Sequence, residues 1–248
     1  MKLQLGILSG VFLAATLGTA SAAQAALVVV PPGLNPGDQY RLVFVTDGTR
    51  NAQSTDINTY NSFVTNEANK PALNSALTTA GFNLGTITCN AIASTESVAA
   101  RDNTGTNPSS AGVPIYLIDG NRVANNNADL WDGTINVPIN RTPSDLGSIS
   151  SNVWTGSNID GSIGINLGGS LTAAGRTGNS AANNSTWIFD SISSLASTSP
   201  RFYGMSSILT VPGSPVSVPE PSSLLGLITL GGLMLGGAVR LTGGGSDT

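Results

Sequence analysis

The chemistry open to this chain is limited first by a residue that it lacks, because its 248 residues include no histidine. A serine or cysteine nucleophile activated by imidazole, and a metal bound by imidazole, are therefore excluded. The single cysteine, Cys89, has no partner for an internal disulfide and lies in an alternating apolar stretch. We therefore predict that Cys89 is a small buried residue and not a nucleophile.

Carboxylates are the remaining groups that could do chemistry. Asp129 and Asp132 flank Trp131, and Asp119 and Asp160 lie in other predicted loops. Two carboxylates about 5 to 9.5 Å apart could hydrolyse a glycoside, and a larger group could hold calcium, which takes about six to eight oxygens. Turn formation is the favoured interpretation, since Asp119, Asp132 and Asp160 each precede glycine. The sequence therefore predicts no catalytic residue and no cofactor, and leaves calcium open.

Three tryptophans offer another kind of site. Trp131, Trp154 and Trp187 lie in short stretches separated by long loops of Gly, Ser and Asn. Their rings could stack on sugar rings or anchor the loops to the core, and anchoring is the favoured interpretation. Since it lies between two acids, Trp131 is the one expected to be most exposed. Trp131, Asp129 and Asp132 are therefore the candidate ligand-binding residues.

The first elements that would position these residues are predicted from apolar periodicity. Tyr40 to Thr46 is rich in β-forming residues and predicts a strand buried on both faces. Thr55 is a candidate N-cap for a helix that continues to about Asn69. Pro71 suits the first turn of a second helix, and Gly81 suits its end.

The rest of the middle of the chain predicts strands and loops. Alternating apolar residues from Thr86 to Thr95 predict a strand, and Arg101 to Gly112 a turn-rich loop. A hairpin is predicted over Val113 to Ala124, with a tight turn at Asp119-Gly120. Two closing strands follow within Arg201 to Val211. This order predicts an α+β domain with two early helices and short twisted strands.

The two ends of the chain have the pattern of targeting segments. Met1-Lys2, an apolar stretch from Leu3 to Leu17 and the Ala23-Gln24-Ala25 cleavage pattern predict a secretory signal peptide over residues 1–25. Near the other end, Ser222 to Val239 carries no charge and is followed by Arg240. We predict one short transmembrane helix there, with Arg240 on the cytoplasmic side.

That C-terminal helix would be short for a permanent membrane anchor. Leu224 to Val239 would extend about 24 Å as a helix, against a hydrocarbon core of about 30 Å. The sequence therefore predicts a transient anchor in the inner membrane.

The same tail resembles the PEP-CTERM sorting signal of Gram-negative bacteria. Val218 to Ser223 holds Pro219-Glu220-Pro221, followed in order by the apolar run and the basic Arg240. The resemblance implies recognition by an exosortase-type membrane enzyme, alongside exopolysaccharide production. Similar tails are sometimes labelled as the C-terminal domain of ice-binding proteins. This chain departs from the pattern in having Arg240 where a basic cluster is usual.

A second, fainter resemblance concerns the middle of the chain. GVPIYLIDGNRV (Gly112 to Val123) and NVWTGSNIDG (Asn152 to Gly161) resemble segments of the endostatin-like branch of the C-type-lectin-like fold. The resemblance implies that fold for the ectodomain. The paired cysteines of the fold are missing, and so are the Glu-Pro-Asn and Trp-Asn-Asp motifs of calcium-dependent lectins. The fold is therefore expected without lectin chemistry.

These observations predict a signal peptide (1–25), a lectin-like ectodomain (26–211), a Pro/Ser linker (212–218) and a sorting tail (219–248). A net charge of −4 with few charged residues argues against a nucleic-acid partner. We expect a non-enzymatic protein of the cell envelope, outer surface or extracellular matrix that binds surface polysaccharide. A carboxylate-based glycan hydrolase and an ice-binding protein stay open as alternatives. For the latter, only Thr86-Ile87-Thr88 resembles a repeat.

Overall fold

The computed structural model of the protein describes residues 27–144, 147–170, 172–190 and 193–213. Within these residues the chain forms nine strands and four α-helices. The strands are β1 Gln39–Val45, β2 Cys89–Ala91, β3 Ile115–Leu117, β4 Arg122–Ala124, β5 Asn152–Trp154, β6 Ala174–Asn179, β7 Ser193–Leu195, β8 Arg201–Ser206 and β9 Leu209–Thr210. The helices are α1 Ile57–Ala68, α2 Pro71–Thr79, α3 Ala100–Asn103 and α4 Asn127–Leu130. The predicted α+β class is confirmed at this level.

All nine strands belong to one mixed sheet. Its order is β4-β3-β1-β8-β5-β6-β7, with β2 paired to β8 and β9 paired to β1. The central strand β1 runs parallel to β3 and antiparallel to β8. The first strand, β1, and the late strand β8 therefore pair at the middle of the sheet. Strands β8 and β9 are the two closing strands that the sequence predicts.

Strand β1 is buried on both faces, as predicted. Tyr40, Leu42 and Phe44 point into the core that the sheet forms with α1 and α2. Val43 and Val45 point into a second core on the opposite face. Because successive side chains of a strand alternate between faces, an unbroken apolar run is what two buried faces demand.

The two early helices are also confirmed, with one correction at the first cap. The N-cap of α1 is Asp56 and not Thr55, since Asp56 Oδ1 accepts a hydrogen bond from the Asn58 N–H at 2.9 Å. Pro71 occupies the first turn of α2. After α2 the chain reverses at Gly81, whose φ of +90° favours glycine.

The predicted hairpin is formed by β3 and β4, which pair antiparallel. Asp119 Oδ1 accepts a hydrogen bond from the Asn121 N–H at 3.1 Å, and Gly120 has a φ of +87°. The Asp-Gly turn chemistry therefore determines this connection, as the sequence indicated.

Two predicted segments differ in the structure, and one short helix was not predicted. The strand expected over Thr86 to Thr95 shrinks to β2, because Asn83 accepts a hydrogen bond from the Gly85 N–H and caps a 3₁₀ turn over Leu84–Thr86. The turn-rich loop expected from Arg101 includes most of the one-turn helix α3. A further one-turn helix, α4, precedes Trp131. Such short elements are stabilised by tertiary contacts more than by local propensity.

Candidate functional site

Trp131 is buried, which removes the basis for proposing it as a stacking surface. It is the most exposed of the three tryptophans, as predicted, yet only 4% of its surface is accessible. The indole Nε1 donates to both the carbonyl and the hydroxyl oxygen of Thr106, each at 3.0 Å. The acidic neighbours gave no guide to exposure, because the end of α4 turns the indole inward while Asp132 stays at the surface.

The other two tryptophans are fully buried and support the anchoring interpretation. Trp154 donates its Nε1 hydrogen to the carbonyl oxygen of Arg50 at 3.1 Å. The ring centroid of Trp187 lies 5.8 Å from that of Trp131 and 5.8 Å from that of Tyr203. The tryptophans therefore connect the long loops to the sheet, as large aromatic side chains commonly do.

The carboxylates of Asp129 and Asp132 are bound within their own turns. Asp129 Oδ2 accepts hydrogen bonds from the backbone N–H and the side-chain amide of Asn125, at 2.6 and 2.9 Å. Asp132 Oδ1 accepts from the backbone N–H and hydroxyl of Thr134, at 2.9 and 3.0 Å. Both are therefore turn residues, and neither joins Trp131 at a surface cavity described below.

Asp119 and Asp160 are engaged in the same way. Asp119 forms an ion pair with Arg141 at 3.1 Å in addition to its turn bond. Asp160 accepts from the N–H and hydroxyl of Ser162 and pairs with Arg101 at 3.2 Å. The four carboxylates therefore serve separate turns, which favours turn formation over a hydrolytic pair.

The described ranges hold no group of three or more Asp, Glu or Cys side chains placed to bind a metal ion. Such a group would supply the oxygens that calcium needs. The calcium alternative therefore gains no support from this part of the chain.

Cys89 is buried, as predicted, with 6% of its surface exposed. Burial raises the pKa of its thiol to about 12, which keeps it protonated near neutral pH. It borders an apolar pocket beneath α2 of about 30 Å³. Ligand sites typically have about 300 to 1,000 Å³, so this pocket is a packing gap and not a ligand site.

A partly polar surface groove lies where β1, β2, α3 and the end of β8 meet. Its volume is about 410 Å³, within the range of about 300 to 1,000 Å³ typical of ligand sites. We call it the Arg41 groove; its lining residues are Arg41, Thr88, Asn90, Asp102, Asn103, Thr104, Gly105, Met205, Ser206, Ser207 and Ile208. Four separate segments of the chain contribute to it.

A network of side-chain amides fixes the walls of the Arg41 groove. Asn61 and Asn103 exchange two hydrogen bonds, at 2.9 and 2.8 Å, and so connect α1 with α3. Asn90 donates its amide hydrogen to the carbonyl oxygen of Asn103 at 2.7 Å. The Oδ1 atom of Asn90 and the hydroxyl of Thr88 bond to no described group, which leaves them available to a ligand.

A second groove adjoins the first across Ile208. Its volume is about 380 Å³. It is lined by Gly81, Phe82, Asn83, Thr86, Ile87, Ile208, Leu209, Thr210 and Pro212. Ile208 lines both grooves and is 45% exposed. The two grooves therefore share this exposed apolar residue, and each also has polar lining residues.

Thr86-Ile87-Thr88, the segment considered for ice binding, forms no flat repeat. Thr86 lies in the 3₁₀ turn, and its hydroxyl donates to the Asn83 carbonyl at 2.8 Å. Thr88 lines the Arg41 groove, whereas Thr86 lines the second groove. The two threonines therefore belong to two different cavities.

Arg41, Arg101, Arg122 and Arg201 are isolated in the sequence, which predicts that they satisfy loop carbonyls and carboxylates. Three of them do so, whereas Arg122 donates to the Tyr116 hydroxyl and to Asn125 Oδ1. Arg101 pairs with Asp160, and Arg201 donates to the Thr46 carbonyl at 2.6 Å. Arg41 donates Nη1 to the Ser206 carbonyl at 2.8 Å. Its place in a groove was missed, although a cation inside an otherwise apolar strand was a usable signal.

The predicted sorting residues Pro219, Glu220, Pro221 and Arg240 lie outside the described residues, as do the signal peptide and the apolar helix at 222–239. Within the described part, none of the helices has the length and apolar character needed to cross a bilayer. These predictions about the two ends therefore stay predictions.

A comparison with known proteins assigns this chain to no family. No protein-family model matches the chain, and no curated protein matches it. The two resemblances noted in the sequence stay predictions for that reason.

Proposed function

We propose that this chain is an exported, non-enzymatic protein of the cell envelope or extracellular matrix that binds extracellular polysaccharide. The signal-peptide pattern and the PEP-CTERM-like tail support export and sorting by an exosortase-type enzyme. Low charge, many Asn, Ser and Thr residues, and carboxylates bound in turns support binding over catalysis.

The two adjoining polar grooves are the observation on which the binding part rests. A polymer of sugars presents hydroxyl groups along an extended chain, together with apolar ring faces. The Arg41 groove and the second groove offer amide and hydroxyl groups on each side of Ile208. A ligand longer than one sugar could therefore follow both grooves.

We also propose a C-type-lectin-like fold of the endostatin-like branch for the ectodomain. The Asp-Gly hairpin of β3 and β4, strand β5 within the NVWTGS segment, and the early pair of helices support it. Since the calcium-dependent lectin motifs are missing, sugar recognition would rest on direct hydrogen bonds. Binding is then expected to continue in the presence of a calcium chelator.

Sedimentation of the full chain with polysaccharide from the producing cells tests the binding function. We expect Thr88→Trp, which fills the Arg41 groove, to reduce the bound fraction at least about fivefold. The matched control is Thr49→Trp, which places the same side chain at an exposed loop position outside both grooves. No binding by the unmodified chain would contradict the proposed function, and equal effects of both substitutions would contradict the location.

A further inference from the structure

Arg41 brings a half-buried positive charge into the wall of the Arg41 groove. Its Nη1 atom donates to the Ser206 carbonyl at 2.8 Å. Among the described residues no carboxylate lies within ion-pairing distance of its guanidinium, and its Nε and Nη2 atoms donate to no described acceptor. One carbonyl oxygen is therefore the acceptor that the described residues provide for this guanidinium.

Burial makes that charge costly. It lowers the pKa of the Arg41 guanidinium below its ordinary value, because the charged form loses water without gaining a counter-ion. An arginine still keeps its proton at neutral pH. An anion that reached the two free donors would replace part of the lost hydration, and a planar carboxylate matches the guanidinium fork.

The groove leaves room for such an anion beside Arg41. Gly105, at the end of α3, has a φ of +63°, and a Cβ atom there would lie 3.5 Å from Arg41 Nη2. Glycine suits this position because of its φ, and without a side chain it leaves Arg41 Nη2 bordered here by backbone alone. The Thr88 hydroxyl and Asn90 Oδ1 lie in the same groove and can bond sugar hydroxyls.

We propose that the Arg41 groove binds the carboxylate of an acidic sugar, so that the polysaccharide ligand contains uronic acid units. This inference rests on the proposed function. A singly charged carboxylate is favoured over a phosphate, since Asp102 lines the same groove and the chain carries a net charge of −4. Neutral units of the polymer would occupy the second groove, which has no charged lining residue.

Calorimetry with the full chain and uronate oligosaccharides of galacturonate, glucuronate and mannuronate tests this inference. The matched ligands are the methyl esters of the same oligosaccharides, which keep the hydroxyls and lose the charge. We expect at least one free acid to bind at least about tenfold more tightly than its ester, because charge-assisted hydrogen bonds are stronger than neutral ones.

Substitutions locate the charge dependence. Arg41→Gln is expected to weaken binding of the free acid at least about tenfold, and Arg41→Lys less, since lysine keeps the charge without the fork. Asp102→Asn is expected to strengthen it about twofold or more by removing a nearby negative charge. Arg50→Gln, which removes an exposed positive charge outside the groove, is the control and should change binding less than twofold.

Each contrary outcome has a distinct meaning. Equal binding of acids and esters, or binding unaffected by Arg41→Gln, would overturn the uronate inference and leave polysaccharide binding intact. Tighter Arg41-dependent binding of sulfated oligosaccharides would overturn the choice of carboxylate. Binding of the cell's polysaccharide without binding of any uronate would also reject the inference alone. If the chain bound neither the cell's polysaccharide nor any uronate oligosaccharide, the proposed function would be rejected as well. Melting temperatures of the variants separate lost binding from lost folding.

Discussion

At the scale of single residues, buried polar atoms determine what Trp131 and its neighbours can do. The Trp131 indole contacts Gly161, where a Cβ atom would lie 2.7 Å from the ring. Its Nε1 hydrogen is already shared between two oxygens of Thr106. A side chain held by packing and hydrogen bonds in this way contributes to stability, and its loss is expected to act on folding before it acts on binding.

Trp131→Ala is therefore expected to reduce the free energy of unfolding by about 3–5 kcal/mol, as deletions of large buried aromatics do. Trp131→Phe keeps much of the packing and loses the donor to Thr106, so the expected loss is about 1–3 kcal/mol. Urea unfolding followed by fluorescence measures both. If the Trp131 variants kept their stability and bound polysaccharide more weakly, Trp131 would be a ligand-binding residue after all.

Cys89 gives a prediction about pH. An unfolded thiol ionises near pH 8.5, whereas burial raises the pKa of the folded Cys89 thiol to about 12. Above pH about 8.5 the unfolded state releases this proton first, so stability falls by up to about 1.4 kcal/mol per pH unit. Chemical unfolding between pH 8 and 9, below the pH of about 10 at which unfolded tyrosines ionise, should show this fall, and Cys89→Ala should remove it. The same fall in the variant would contradict the assignment to Cys89.

At the scale of elements, the contact between α1 and β8 depends on the small size of Gly204. A Cβ atom there would lie 2.4 Å from Phe44 Cζ and 2.7 Å from a methyl group of Val64. Both side chains are almost fully buried. Helix and sheet can therefore approach this closely only where β8 carries no side chain.

Gly204→Ala is expected to reduce stability by about 1–3 kcal/mol, because the added methyl group must displace Phe44 or Val64 in a packed core. Gly213→Ala is the matched control, since a Cβ atom at that position would meet nothing within 4 Å. Thermal unfolding of the two variants measures the difference. Equal melting temperatures would show that the core can accommodate the methyl group.

Elements with strong local patterns could be predicted, and those held by distant contacts could not. Strand β1, the two early helices and the Asp-Gly hairpin follow from periodicity and turn residues within each segment. Strand β6 was missed because Ala174–Asn179 has little β propensity and is held in the sheet by its neighbours β5 and β7. The Arg41 groove was missed for a related reason, since it joins residues more than 100 positions apart in the chain, such as Arg41 and Ser206.

At the scale of the whole molecule, the proposed binding and the predicted sorting belong to different parts of the chain. The grooves lie in the described domain, whereas the predicted signal peptide and sorting tail are residues 1–25 and 219–248. A binding domain that acts on a polymer outside the cell requires both parts. The two can therefore be tested separately, with stability and binding assigned to the domain and location assigned to the ends.

Replacement of Pro219-Glu220-Pro221 by three alanines tests whether this motif directs sorting of the protein. If an exosortase-type enzyme reads this motif, the variant is expected to stay in the membrane fraction with its tail attached. The unmodified protein is expected at the surface or in the medium with a shorter C-terminus. Cell fractionation and intact mass measure both outcomes, and Pro215→Ala in the linker is the control. Identical mass and location for all three proteins would contradict sorting by this motif, while binding to polysaccharide by the purified variant should stay unchanged.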